Sequence, residues 1–180
     1  KASEIVLNGL KRLEYRGYDS SGISTIENNQ LLTTKCSGKI AELEQKVDSN
    51  SHLGNIGMGH TRWATHGQPN TVNAHPHHDS KNKISIIHNG IIENYFTIKK
   101  FLKDKDVSFK SETDTEVLVH LISHVYEKND NTFDESVRLA LNEVVGAYGI
   151  VAMCEDEPDK LIAARLGSPL IIGIGNNEYF

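Results

Sequence analysis

The stretch His60-Thr-Arg-Trp-Ala-Thr-His-Gly67, running on through Gln68-Pro-Asn70, gathers two imidazoles, a guanidinium, an indole and two hydroxyls. Nothing in it is apolar enough to build a core. The preceding Ile56-Gly-Met-Gly59 reads as a strand, and Gly67 to Asn70 as a turn. Polar side chains are therefore delivered to a strand end and into a loop, where scaffolds carry function. The competing explanation is a solvated loop with ordinary turn chemistry.

Two further groups fit this chemistry. Asn89-Gly90 follows the strand-like run Lys83 to His88. A carboxamide beside a glycine amide can aim two N–H donors at one point, as the oxyanion of a tetrahedral intermediate requires. A helix starting at Ile91 would add its positive end, although Asn-Gly is also a common turn. Arg62 and Asp114 make the second group. A free amino acid carries a carboxylate and an ammonium on one carbon, and a guanidinium with a carboxylate matches the pair. Thr65 and His66 could add hydrogen bonds, and the alternative for Asp114 is a helix N-cap. His75-Pro-His77-His78 lacks the ligand spacing of the usual zinc patterns, so a satisfied or solvated histidine group is expected, with no metal.

The elements that must position these residues follow from periodicity. Ser3 to Tyr15 reads as an amphipathic helix, and strands Ile23 to Glu27 and Leu31 to Lys35 flank an Asn28-Asn29 hairpin turn. Lys39 to Val47 is a short helix, and a second strand pair begins near Asn55. The run from Lys83 to Leu102 reads as strand–turn–helix, with the turn at Asn89-Gly90 and the helix from Ile91. Phe109 to Thr113 reads as extended. Helices are predicted for Asp114 to Tyr126, with a Thr113/Glu116 capping box, and for Phe133 to Val145. Three apolar runs close the chain as a meander: Ala147 to Cys154, Leu161 to Leu166 and Leu170 to Ile174. Paired strands alternate with paired helices, which indicates α+β with antiparallel sheets in one domain.

A net charge of −5 and the absence of any Lys/Arg run exclude a nucleic-acid footprint. No apolar run approaches bilayer length, and no membrane partner is expected. Two cysteines, Cys36 and Cys154, make no disulfide framework and are expected to be reduced. The chain enters helix-like sequence directly at Lys1 and stops in strand-like sequence at Phe180, so truncation at both ends is expected.

Five motifs carry a resemblance: Arg16-Gly-Tyr-Asp-Ser-Ser-Gly22, His60 to Gly67, Val72-Asn-Ala-His-Pro-His77, His88-Asn-Gly-Ile-Ile-Glu-Asn94 and Ser111-Glu-Thr-Asp-Thr-Glu116. Together they resemble the glutaminase domains of the glucosamine-6-phosphate synthase family, the isomerising glutamine–fructose-6-phosphate aminotransferases. The resemblance runs the whole chain and implies a four-layer αββα sandwich of the N-terminal-nucleophile hydrolase type. It implies that Arg62, with Thr65 and His66, holds the glutamine α-carboxylate, and that Asp114, with Gly90 nearby, binds the α-ammonium. Asn89 (side chain) and Gly90 (backbone) would form the oxyanion hole, with Trp63 in a closing loop and Arg16 beside the nucleophile.

That nucleophile would be an N-terminal cysteine upstream of Lys1, its α-amine acting as base; neither Cys36 nor Cys154 matches it. The 180 residues alone are thus expected to be inactive. Ammonia from glutamine would convert fructose 6-phosphate to glucosamine 6-phosphate, the precursor of UDP-N-acetylglucosamine, in a sugar-isomerase domain outside these residues. No cofactor, a homodimer for the full-length protein and a cytoplasmic location are expected. The alternatives are the glutaminase domain of another amidotransferase, or a glutamine-binding module without catalysis.

Overall fold

A computed structural model describes residues 1–17, 19–47, 51–63, 67–128 and 131–180. The elements follow in order: α1 (Ala2–Leu13), β1 (Ser20–Glu27), β2 (Gln30–Ser37), α2 (Ile40–Lys46), β3 (Ile56–Arg62), β4 (His77–His78), β5 (Ile84–Ile92), α3 (Tyr95–Lys103), α4 (Asp114–Lys128), α5 (Phe133–Asn142), β6 (Gly146–Cys154) and β7 (Ile162–Leu166). They build two antiparallel sheets, β2-β1-β3 and β4-β5-β6-β7.

Side-chain alternation along the strands assigns the layers. In β1, Ile23 joins Leu7, Leu10, Ile40 and Leu43 under α1 and α2, whereas Ile26 joins Met58 and Met153 between the sheets. In β5, Ile84, Ile86 and Ile92 face the apolar side of α4 and α5, through Val117, Leu118, Leu121, Ile122, Phe133 and Val137. Ile87 and Val151 face the other way, against the first sheet. Each fully buried branched side chain in these layers stabilises the fold by about 1.5–3 kcal/mol. The order is helix, sheet, sheet, helix, the four-layer sandwich expected above.

Glycine sets the spacing of the first layer. Gly57 and Gly59 lie on the α1 side of β3, and a Cβ on Gly59 would meet Val6 Cγ1 at 2.4 Å. Their absence of side chains lets the helix lie close on the strand, while Ile56, Met58, His60 and Arg62 share its opposite face.

The structure corrects several boundaries. The Asn28-Asn29 hairpin turn is present, both residues having positive φ. Asn89-Gly90 is not a turn: β5 runs through it, with Asn89 opposite Gly149 and Gly90 opposite Tyr148. Gly90 has φ +135°, and a Cβ there would lie 2.1 Å from the Ala147 carbonyl oxygen, so the ladder with β6 demands glycine at this point. The helix expected from Ile91 begins only at Tyr95. The strand expected at Leu170 to Ile174 does not form; only an isolated Ile174–Tyr179 bridge is present, and Ile171, Ile172 and Ile174 are exposed. An apolar run becomes a sheet strand only where a sheet edge pairs with it; among the described residues this one pairs only with residues 178–180, through Gly173 N–H to Phe180 O and Gly175 N–H to Glu178 O, and with neither sheet.

Candidate active site

The two sheets part at one end of the sandwich, around a cavity of about 570 Å³, within the usual range for a small-molecule site. Arg16, Arg62, Trp63, Asn89, Gly90 and Asp114 all line it. Thr65 and His66, also expected here, lie outside the described residues. The guanidinium and the carboxylate inferred from sequence therefore open onto one space.

Strand alternation explains how they meet. The inner face of β3 reads Ile56, Met58, His60, Arg62, passing from inter-sheet core to polar site within one strand. The inner face of β5 reads Ser85, Ile87, Asn89 and does the same. Antiparallel pairing to β1 fixes the register of His60 opposite Gly22 and of Arg62 opposite Ser20. Arg62 is buried, and its Nη1 donates to the Gln68 carbonyl at 3.4 Å, while Trp63 is exposed at the cavity mouth.

The free edge of β5 supplies a row of backbone donors. Alternate N–H groups of a strand point to the same side. His88 N–H donates to His75 Nδ1 at 3.3 Å and Ile92 N–H to Asp114 Oδ2 at 2.9 Å. Gly90 lies midway between them, so its N–H points away from β6 and toward the cavity.

Asp114 is the first residue of α4, yet it is not the cap. Thr113 has that role, its Oγ1 accepting the Glu116 N–H at 3.3 Å. The Glu116 carboxylate does not close a reciprocal capping box; it accepts the N–H groups of Lys110 and Ser111 at 2.8 and 2.7 Å. Asp114 is left with Oδ2 held by β5 and Oδ1 3.9 Å from His88 Nδ1, beside the cavity. The helix whose N-terminus fronts the site is thus α4, not the one expected after Gly90. A clasp ties this helix to the motif loop: Asn73 Nδ2 donates to Glu112 Oε2 at 3.1 Å, and Glu112 N–H donates to Asn73 Oδ1 at 3.0 Å.

Beneath the cavity lies a histidine cluster that sequence reasoning treated only in part. His60 stacks on His75 with ring centroids 4.3 Å apart, and His75 meets His77 edge-on at 4.9 Å. Of the group expected to be satisfied or solvated, His75 and His77 are buried and hydrogen-bonded, whereas His78 is half-buried and its two ring nitrogens have no hydrogen-bond partner. Among the described residues no group of three or more His, Cys, Asp or Glu is placed to hold a metal ion. His60 was not singled out by sequence reasoning, although its spacing two residues before Arg62 on a strand places it on the same inner face and in contact with Asn89.

Burial pushes His60 and His78 down to about 4 and His77 to about 3, and lowers His75 well below the ordinary imidazole value. Burial also lowers His88, against the pull of Asp114. The floor of the site is therefore neutral at pH 7, and the charges lining the cavity belong to Arg16, Arg62, Glu112 and Asp114. A stability dependence follows. The unfolded chain protonates these rings near 6.5, while the folded chain resists until about 4 or below. In that window the unfolded state binds more protons, so stability falls as pH falls. The unfolding free energy should decline steadily from pH 6.5 to 4, by on the order of 1 kcal/mol per pH unit for each buried ring, and the denaturant midpoint should fall with it. A flat midpoint over that window would contradict the assigned neutral cluster.

Residues 47–135 match the family described as "Glutamine amidotransferase domain". The solved glutamine phosphoribosylpyrophosphate amidotransferase from B. subtilis, complexed with ADP and GMP, superimposes with a TM-score of 0.83 at 28% identity, covering 99% of this chain and 38% of that one. A second structure, described as the allosteric regulatory enzyme of purine biosynthesis, gives a TM-score of 0.83 at 28% identity, covering 98% and 38%. Residues 47–135 are thus similar to a glutamine amidotransferase domain, and the chain as a whole shares the α+β sandwich fold of the solved N-terminal-nucleophile amidotransferases.

Its sequence is similar, end to end, to isomerizing glutamine–fructose-6-phosphate aminotransferases. The Clostridium tetani enzyme is 50% identical over 180 residues and the Bacteroides thetaiotaomicron enzyme 52% identical over 181. The Pyrococcus horikoshii enzyme is 49% identical over 180 residues. Each covers 100% of this chain, which spans only 29–30% of their length.

Proposed function

We propose that these residues form the glutamine-hydrolysing part of an isomerising glutamine–fructose-6-phosphate aminotransferase. The observation that carries this reading is the convergence of Arg62, Asp114 and the 89–90 donors on one cavity. Arg62 takes the glutamine α-carboxylate, with Thr65 and His66 assisting, and Asp114 takes the α-ammonium through its Oδ1 side. This clasp directs the side-chain amide toward Asn89 and Gly90, while Trp63 covers the mouth and Arg16 borders the nucleophile's position.

Cys36 and Cys154 are both free and buried, and neither lines the cavity. The attacking thiol is instead the N-terminal cysteine that the family resemblance supplies, outside these 180 residues. Its α-amine, with a pKa near 8, accepts the thiol proton. The thiolate attacks the amide carbon, and the carbonyl π electrons move onto oxygen. The oxyanion is stabilised by Asn89 Nδ2–H and Gly90 N–H. Collapse breaks the C–N bond as the ammonium returns its proton to the departing ammonia. Water then cleaves the thioester to glutamate.

Ammonia is consumed in a sugar-isomerase domain of the longer, homodimeric protein, where fructose 6-phosphate becomes glucosamine 6-phosphate. Among the described residues no helix is long and apolar enough to cross a membrane, and two free thiols fit the reducing cytoplasm.

The test is paired assays of ammonia and glucosamine 6-phosphate. The longer protein with its N-terminal cysteine should produce both. The 180 residues alone, or the longer protein with that cysteine changed to alanine, should release no ammonia above background. Glutamine hydrolysis without amino-sugar formation would point to another amidotransferase. Glutamine binding without hydrolysis would leave a sensor module.

A further inference from the structure

We propose that His60 is a positioning residue that fixes which end of the Asn89 carboxamide faces the cavity. The inference rests on Asn89 acting as an oxyanion donor and deepens that reading. A carboxamide has two ends of nearly equal shape and opposite chemistry, a double donor and an acceptor. Turned by 180°, Asn89 would aim a partial negative charge at the developing oxyanion and oppose the reaction it should assist. Something must therefore choose the rotamer.

His60 Nε2 lies 3.0 Å from Asn89 Oδ1. The ring is buried and neutral, so it carries one donor and one acceptor. With the proton on Nε2, the ring donates to Oδ1, and only the Nδ1 lone pair lacks a partner. With Asn89 flipped, its amide would donate to Nε2, and Nδ1 would become a buried N–H with no acceptor. Orphaned buried N–H groups are rarer than unused acceptors, so the first arrangement is favoured. The Asn89 Nδ2–H groups then point away from His60, and the residue opens onto the cavity.

The histidine is itself held on two sides. Its strand position is fixed opposite Gly22. Its ring stacks on His75, whose tautomer is set by the backbone: His75 Nδ1 accepts the His88 N–H at 3.3 Å, leaving Nε2–H to donate to Thr115 Oγ1 at 3.4 Å. The chain of contacts runs from a strand amide, through two imidazoles, to one carboxamide.

The experiment is a double-mutant cycle on glutamine hydrolysis by the full-length protein. His60→Ala should lower kcat about 10- to 100-fold and move the glutamine KM by less than about threefold. His60→Gln, which keeps an N–H donor, should recover most of the loss. His60→Phe, which keeps the stack without the donor, should behave as His60→Ala and covers the case in which alanine fails to fold. In an Asn89→Ala background, His60→Ala should cost less than about twofold more, because its action passes through Asn89. Equal losses in both backgrounds, or an unchanged kcat in His60→Ala and His60→Phe, would overturn the inference. If Asn89→Ala itself leaves kcat unchanged, the oxyanion reading falls and the inference with it. If Asn89→Ala is impaired and the His60 variants are not, the positioning role alone falls.

Discussion

Replacing Asn89 with alanine is expected to lower kcat for glutamine hydrolysis by about 100- to 1,000-fold, with the glutamine KM changed by less than about threefold. The argument is one of timing. The ground-state amide carbonyl carries little charge and gains little from a donor, whereas the tetrahedral oxyanion carries a full charge beside it. Removing a donor that engages mainly the second species raises the barrier without weakening binding. Asn89 faces the cavity from the inner side of β5, and the adjacent Gly90 N–H points from the free edge of the same strand. One donor remains in the variant, so activity should fall far without vanishing. A rise in KM at constant kcat would instead assign Asn89 to ground-state binding.

Replacing Asp114 with asparagine should have the opposite kinetic signature. The α-ammonium of glutamine does not change during amide hydrolysis, so its partner contributes equally to ground and transition states. Losing that partner raises KM and leaves kcat nearly constant. Truncating one member of a largely desolvated, hydrogen-bonded charge pair costs about 2–5 kcal/mol, so the glutamine KM should rise about a hundredfold. The Ile92 N–H bond to Oδ2 and the Thr113 cap of α4 both persist in this variant, since asparagine retains an oxygen acceptor. A variant that unfolded rather than losing affinity would mean that Asp114 serves α4 and not a ligand.

The layers and much of the site were legible because they depend on short-range alternation. The period-2 pattern of residues 56 to 62 puts Arg62 on the inter-sheet face with Met58, and the helical pattern from residue 114 puts Asp114 at the start of a helix. What failed was local preference overruled by pairing. Asn-Gly favours a turn when neither residue is committed elsewhere; here nine residues of β5 pair with β6, and Gly90 keeps its positive φ inside the strand. The helix start shifted to Tyr95 for a related reason, because Asn94 bridges the Val145 N–H and the Glu143 carbonyl and holds residues 92–94 to the end of β6.

The exposed run Leu170 to Ile174 shows the limit in the other direction: hydrophobicity alone predicts a strand, and only a neighbouring edge makes one. The histidine cluster was hidden by distance along the chain. His60, His75 and His88 come from two strands and a loop, and nothing in their spacing announces a stack.

The most direct test of the glutamine clasp is calorimetric titration of the full-length protein, its N-terminal cysteine changed to alanine, with three ligands. L-Glutamine carries both charged α-groups, 4-aminobutyramide-type analogues lack the α-carboxylate partner of Arg62, and glutaramate lacks the α-ammonium partner of Asp114. Each deletion should weaken binding by about a hundredfold or more. In the Asp114→Asn variant, glutamine and glutaramate should bind with nearly equal affinity. If glutaramate binds the unaltered site as tightly as glutamine does, Asp114 and Arg62 do not grip the two ends of one amino acid, and the account fails.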